Sequence, residues 1–303
     1  MRPDGKKVKS DDGEYAIVPH IMVERNDSLN FIEIDVPLAP MQKYLNEKRK
    51  EDYNFSHLAL VLAAYARVIG EFPFLNRFIV NRKIYARKEL SVAMVVMKSD
   101  SENGTMSKIK LDPADTVFEV SDKINEYVTS NRKTGDNNKT EKLVTVLLRI
   151  PGLLYWGVKI LKWMDKHGIM PYSIIDASPF HASMSITNLA SIRTNHIFHH
   201  IYNFGTTSLF LAMGNSREVT VRKQGDIGFE KCIPFGCVMD ERICTGIYYA
   251  KAFRKFRYYL EHPELLEEKP EADKVIKEVP YREDIKKEKL AKKQQKKANK
   301  KAS

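Results

Sequence analysis

The chain has 303 residues, 43% hydrophobic and 29% charged, enough apolar mass for one large or two small globular domains and too much for a disordered chain. Its net charge of +11 is lopsided: residues 281–303 carry ten Lys and Arg against three acidic residues, so residues 1–280 carry only +4. That excludes a nucleic-acid-binding surface on the body as the source of the basic character. Three cysteines, spaced Cys232-x4-Cys237-x6-Cys244, fit neither a disulfide staple nor a common zinc pattern; they read as buried thiols in a reducing cytoplasm, with no metal site.

Residues 1–13 are polar, lack the apolar core of a signal peptide, and are expected to be a flexible N-terminus. "SLNFIEIDVPL" (28–38) alternates as a half-buried strand, with Ile32, Ile34 and Val36 on one side. A polar helix follows from Met41. "NFSHLALVLAAYARVIGEFP" (54–73) is apolar nearly all round and stops at a proline, which predicts a buried helix. "FIV" and "LSVAMVVM" (90–97) are strand-like, separated by the turn-like "NRK". "DPADTVFEVSDKINEYVTSNRK" predicts an amphipathic helix, acidic at its start and basic at its end, as the helix dipole favours. "TGDNNKT" is expected to be a surface loop.

The most apolar stretch, residues 143–164, is interrupted by Arg149, Lys159 and Lys162 and broken by Pro151-Gly152. A membrane span needs about 20 mostly apolar residues, so a buried helical pair is the reading adopted. A membrane-surface helix carrying Trp156, Trp163 and lysines is the alternative. Four strands are then predicted: "SMSITNL" (183–189), "TSLFLAMG" (207–214), "REVTVRK" (217–223) and "KCIPFGCVM" (231–239), the first and last as neighbours. A helix over "GIYYAKAFRKFRYYLEHP" closes the domain, and the Lys-rich remainder from 269 is expected to be disordered or a lone solvated helix. Strands and helices mix without βαβ alternation, which gives an α+β class with one domain over 14–268.

Four segments in this order carry a family resemblance: "ALVLAAYARVIGEFPFLNRFIV", "KELSVAMVVM", "SMSITNLASI" and "FGCVMDERICTGIYYAKAFRKFRYYLEHPELL". Together they resemble the catalytic domain of the dihydrolipoyl acyltransferases of 2-oxo acid dehydrogenase complexes, which shares its fold with chloramphenicol acetyltransferase. The resemblance implies a two-layer α/β sandwich assembling as a homotrimer, with sites at subunit interfaces. It implies CoA or acyl-CoA as the cofactor, and an acyl carrier entering from the other end of a channel. It also implies a histidine at the terminal turn that deprotonates the CoA thiol, and a hydroxyl from a neighbouring subunit that stabilises the oxyanion.

The family turn reads Asp-His-Arg-x-x-Asp-Gly. Here Asp240, Arg242 and Gly246 match, but Glu241 stands at the base position and Thr245 at the carboxylate position that braces the turn. Thr187 stands at the oxyanion position, where the family has serine. Glu241 and Thr187 are thus the candidate site residues. An ordinary glutamate, near pKa 4.3, is several units too weak a base for a thiol near 8.5, so Glu241 needs a strongly desolvating site to act. His199-His200 imitates the family's His-containing motif but lies upstream in the chain order and reads as structural or surface histidines. Cys244 reads as packing.

No lipoyl domain is expected in the chain, so an acyl donor would come from a separate lipoyl-bearing or acyl-carrier protein, or as a free thioester. Two readings stay open: a CoA-dependent acyltransferase with a modified site, and a non-catalytic member of the fold acting as a scaffold, a CoA or acyl-group binder or a partner in a mixed trimer, in which Glu241 would be ion-paired to Arg242 or a tail lysine. A third places function in contact of the basic tail with nucleic acid or an anionic membrane.

Overall fold

The computed structural model describes residues 2–9, 13–97, 104–133, 152–223 and 225–302. In chain order the elements are β1 (Gly5–Lys7), α1 (Gly13–Ile21), β2 (Leu29–Pro37), α2 (Leu38–Lys50), α3 (His57–Glu71), β3 (Arg77–Val80), β4 (Lys83–Arg87), β5 (Leu90–Met97), β6 (Gly104–Leu111) and α4 (Val117–Lys133). Then come α5 (Leu153–His167), α6 (Tyr172–Ala177), β7 (Met184–Asn188), β8 (Leu209–Met213), β9 (Arg217–Lys223), β10 (Asp226–Asp240), α7 (Gly246–Glu261) and α8 (Arg282–Ala302). The expected loop "TGDNNKT" and the first half of the expected hydrophobic helical pair lie outside the described residues.

β10 organises the main sheet. Its first half pairs with β9 as a hairpin and its second half lies between β2 and β8, giving the order β2-β10-β8-β7-β5-β6 with β9 as a flap on β10. The β7–β8 and β5–β7 pairings are parallel and the others antiparallel. "SMSITNL" and "KCIPFGCVM" are therefore not neighbours, because β8 intervenes. The apolar patterns of these strands fix their faces but not their lateral order, which long-range pairing sets. A second sheet, β1-β4-β3, stands apart.

One face of the main sheet carries the core. α3 is buried from Ala59 to Gly70; it is capped by Ser56, whose Oγ accepts from the Ala59 N–H at 3.1 Å, and it ends where Pro73 follows. α2, α4 and α7 flank it, and all four contribute to a single core cluster with the inward side chains of β2, β5, β7, β8 and β10. The opposite face holds a small apolar group, Ile201, Phe210, Ala212 and Val238, and at its β5–β6 end residues 172–181, whose Ile175 and His181 carbonyls accept from Lys108. It is crossed by the irregular segment 195–205, which comes so close that glycine is required beneath it. A Cβ on Gly236 would meet the Ile197 carbonyl oxygen at 2.3 Å, and one on Gly214 the His196 nitrogen at 2.3 Å.

Two boundaries move. The N-terminus is not loose where described: Gly5–Lys7 pairs with β4, and Arg2 is buried in ion pairs with Asp4 and Asp165 at 3.0 and 2.7 Å. The packed body also runs past residue 269. Glu278 bridges Arg77 at 2.5 Å, Val279 and Tyr281 are buried, and the Tyr281 hydroxyl accepts from the Asn76 amide at 2.9 Å. Only then does α8 depart as a lysine-rich helix. The contacts of Glu278 and Tyr281 link residues about 200 positions apart, so no local pattern announces them.

Gly236→Ala should lower stability by about 1–3 kcal/mol, the usual cost of overpacking. It should also speed hydrogen exchange selectively across 195–205. Unchanged exchange there would show that the segment does not depend on the close approach.

Candidate functional site

The terminal turn begins where β10 ends. Asp240 is fully buried, and the Arg242 guanidinium folds back onto it as a fork, Nε to Oδ1 at 2.8 Å and Nη2 to Oδ2 at 2.7 Å. The Arg242 backbone N–H also donates to Asp240 Oδ1, at 3.1 Å, and the Ser28 hydroxyl donates to the same oxygen at 3.1 Å. A second arginine, Arg25, brings its Nε to 3.5 Å from Asp240 Oδ2. The remaining guanidinium protons go to backbone carbonyls: those of Met22 and Val23 for Arg242, and those of Tyr202 and Gly205 for Arg25. Burial pulls the Arg25 guanidinium below the ordinary arginine value, and the Asp240 carboxylate opposes the shift. One carboxylate thus ties together the 22–28 loop, the end of β10 and the 202–205 loop.

Two tyrosines fasten the turn from outside. Tyr249 donates to the Asp240 carbonyl at 2.8 Å, and the Tyr15 hydroxyl lies 3.0 and 2.8 Å from the carbonyl oxygens of Glu241 and Cys244. Glu241 itself is half-buried. Its backbone N–H donates to Ser28 O at 2.9 Å, and its carboxylate accepts from the Asn30 amide at 2.5 Å. The expected pairing with Arg242 or a tail lysine is corrected: Arg242 is spent on Asp240, and among the described residues Glu241 has the Asn30 amide as its side-chain partner. Thr245 is exposed and caps α7, its Oγ1 accepting from the Tyr248 N–H at 3.3 Å.

Thr187 lies on β7, half-buried, and since Met184 and Ile186 enter the core its side chain belongs to the opposite, sparsely covered face. It pairs with Ala212, which in turn pairs with Gly236. Glu241 is five residues beyond Gly236, roughly 16 Å further along the strand direction. One chain therefore does not bring Glu241 and Thr187 together. The two histidines set aside in the sequence lie closer to Thr187. The His199 ring stacks on Phe210 at 4.3 Å and on His200 at 4.8 Å, and Phe210 is in register with Ser185, two residues from Thr187.

Beside the turn opens a cavity of about 430 Å³, lined by Val23–Arg25, the β3–β4 turn, the last turns of α5, Asn203–Gly205 and Arg242. Five of its lining residues are basic and two acidic. Arg25 and Arg242 are already committed to Asp240, whereas Arg82, Lys162 and Lys166 are exposed. The cysteines are buried and free, and burial pushes the Cys237 and Cys244 thiols well up, which suits packing rather than nucleophilic attack. Among the described residues no cluster of three or more His, Cys, Asp or Glu is arranged to hold a metal ion.

Residues 180–267 match the family model of the 2-oxoacid dehydrogenases acyltransferase (catalytic domain). The architecture around this segment agrees. A probable dihydrolipoamide acetyltransferase from Listeria monocytogenes 4b F2365 superposes with a TM-score of 0.54 at 15% identity, over 85% of this chain and 94% of that one. The cubic core of a pyruvate dehydrogenase multienzyme complex gives 0.53 at 13%, over 86% and 94%. A chloramphenicol acetyltransferase gives 0.54 at 8%, over 84% and 99%. No curated protein matches the sequence. The fold is the chloramphenicol acetyltransferase-like α/β fold of these acyltransferase cores, and the α+β two-layer expectation stands.

Arg25, Ser28, Asn30 and Tyr15 were not singled out in the sequence. Tyr15 and Arg25 lie in mixed stretches without periodicity, and Ser28 and Asn30 at the start of the alternating strand; the pairing of β2 with β10 carries Asn30, and with it the adjoining Ser28, to the turn.

In urea denaturation, Asp240→Ala should cost about 3–5 kcal/mol, since it strands two buried guanidinium groups. Thr245→Ala should cost about 1 kcal/mol, the loss of one helix cap. Equal effects of the two substitutions would contradict this division of roles.

Proposed function

We propose that the protein is a member of the acyltransferase fold that binds CoA or acyl-CoA, and that its Asp240–Gly246 turn is kept as architecture, with acyl transfer through Glu241 weak or absent. The observation that carries this reading is the engagement of the two substituted positions. The Glu241 carboxylate is half-exposed and taken by the Asn30 amide, and the Thr245 hydroxyl caps α7. A glutamate able to take a thiol proton needs an enclosed apolar site. The basic cavity beside the turn has the sign and size to receive a phosphate-bearing ligand. A cytoplasmic location belongs to the same proposal, supported by three free buried cysteines.

Assembly as a homotrimer belongs to it as well. The sparsely covered sheet face exposes Phe31, Ile197, Phe198 and Tyr202, with Phe31 and Phe198 in edge-to-face contact at 5.8 Å. A neighbouring subunit packed there would bring a foreign side chain toward Thr187. An acyl group would then arrive on a separate lipoyl-bearing or carrier protein, or as a free thioester.

A second reading has one observation in its favour: His199 and His200 stand over β8 on the face that Thr187 shares. Imidazole is the side chain best matched to thiol deprotonation near neutral pH. In that reading the base has moved from the terminal turn to this segment.

Calorimetric titration with CoA and a CoA-release assay over several acyl-CoAs, with acyl acceptors supplied, decide between them. CoA binding with no turnover is the expected outcome. Wild-type turnover that falls by ~10²–10⁴-fold in Glu241→Gln would overturn the proposal and establish a glutamate base. Turnover kept in Glu241→Gln but lost in His199→Gln or His200→Gln would establish the relocated base. Absence of CoA binding sinks both. Light scattering should report a trimer at micromolar concentration, and a clean monomer would remove the subunit-interface site.

A further inference from the structure

α5 is held to the body at its C-terminal end. Leu154, Gly157, Leu161 and Met164 are half-buried along one side, and Asp165 is buried. Asp165 accepts from Arg2 at 2.7 Å through Oδ1 and at 2.6 Å through its backbone carbonyl, and its carboxylate lies 3.5 Å from His181 Nε2. The rest of the helix faces outward as two distinct stripes. Leu153, Trp156, Ile160 and Trp163, spaced i, i+3, i+7 and i+10, form an apolar one. It is bare: Trp156 is 59% exposed, Ile160 56% and Trp163 56%. Lys159, Lys162 and Lys166, spaced i, i+3 and i+7, form a basic stripe alongside it. The two are in contact, for the Lys159 ammonium lies 4.5 Å from the Tyr155 ring centre and 5.2 Å from that of Trp156.

We propose that this face of α5 docks on an anionic lipid bilayer, with the Trp156–Trp163 stripe entering the headgroup–acyl boundary and the lysine stripe meeting lipid phosphates. Charge complementarity selects this occupant. A protein-interface core also favours tryptophan but is depleted of lysine, whereas the bilayer boundary takes both together. With 15 residues and three lysines the helix lies on a membrane rather than across it; no helix of the described residues is long and apolar enough to span one.

A second observation, independent of α5, points the same way. The lysine-rich α8 starts at the corner where α5 ends. Arg282, its first residue, donates to the Pro3 carbonyl at 2.9 Å and sits 3.5 Å from the centre of the Tyr172 ring, five residues beyond the end of α5. The neighbouring Arg2 holds Asp165. Residues 281–303, which start from this corner, carry a net +7. Such a basic segment next to a membrane-seated helix strengthens attraction to anionic lipid.

Both tryptophans of the chain lie on this stripe, so their fluorescence reports on α5 alone. The full chain is mixed with vesicles of phosphatidylcholine, or of phosphatidylcholine containing roughly one-third phosphatidylglycerol. Expected is a blue shift of emission with the anionic vesicles, quenching by acyl-chain-brominated lipid, and loss of both at high salt. Each lysine near an anionic surface contributes roughly 5-fold, so the combined Lys159→Glu, Lys162→Glu and Lys166→Glu variant should bind on the order of 100-fold more weakly. In flotation, Trp156→Ser with Trp163→Ser should abolish binding; these side chains are exposed, and an unchanged circular dichroism spectrum confirms the fold. Three outcomes overturn the proposal: vesicle binding without a tryptophan shift, which leaves α8 as the sole contact; emission already blue-shifted without lipid, which means protein covers the face; and no binding to anionic vesicles.

Discussion

The Asp240 carboxylate is the point on which the terminal turn depends. It is fully buried at the end of the longest strand with two guanidinium groups against it, so the cluster keeps a net positive charge out of water. Such an arrangement is tolerable only because backbone carbonyls from two loops absorb the remaining guanidinium protons. The carbonyls are committed in turn, so the loops 22–28 and 202–205 cannot drift from β10 without exposing an unpaired charge to apolar surroundings. The turn at 240–246 is rigid for this reason, whatever side chain occupies its second position.

That rigidity separates architecture from chemistry within one short motif. Asp240 and Arg242 hold the bend, and Gly246 begins α7 in open space. The positions that the family resemblance assigns to proton transfer and to bracing carry Glu241 and Thr245, and each has found a local structural partner. The forces that shape the bend come from the Asp240 and Arg242 side chains and not from those of Glu241 and Thr245.

The two faces of the main sheet differ in the same spirit. Helices cover one face and make a continuous core, so its packing is complete within the chain. The other is crossed by the irregular segment 195–205, admitted by Gly214 and Gly236, and by residues 172–181 over β5 and β6, and it displays aromatic side chains and histidines around Thr187's register. Packing is complete on the helix-covered side, while exposed aromatic side chains mark the other.

By itself the sequence determined the α+β class, the buried α3 and its proline stop, the strands from 183 to 239, the closing helix and the family resemblance of the terminal segment. These are local patterns: periodicity, caps and a motif read within a few dozen residues. Tertiary structure alone decided the insertion of β8 between β7 and β10, the strand at residues 5–7, and the docking of 275–281 against Arg77 and Asn76. It also decided that Asn30 meets Glu241 and that His199 stands over Phe210. Each of these joins residues that are far apart, or that sit in polar segments without periodicity. Their partners are chosen by strand register and by the need to neutralise buried charge, and both are properties of the assembled chain rather than of any stretch within it.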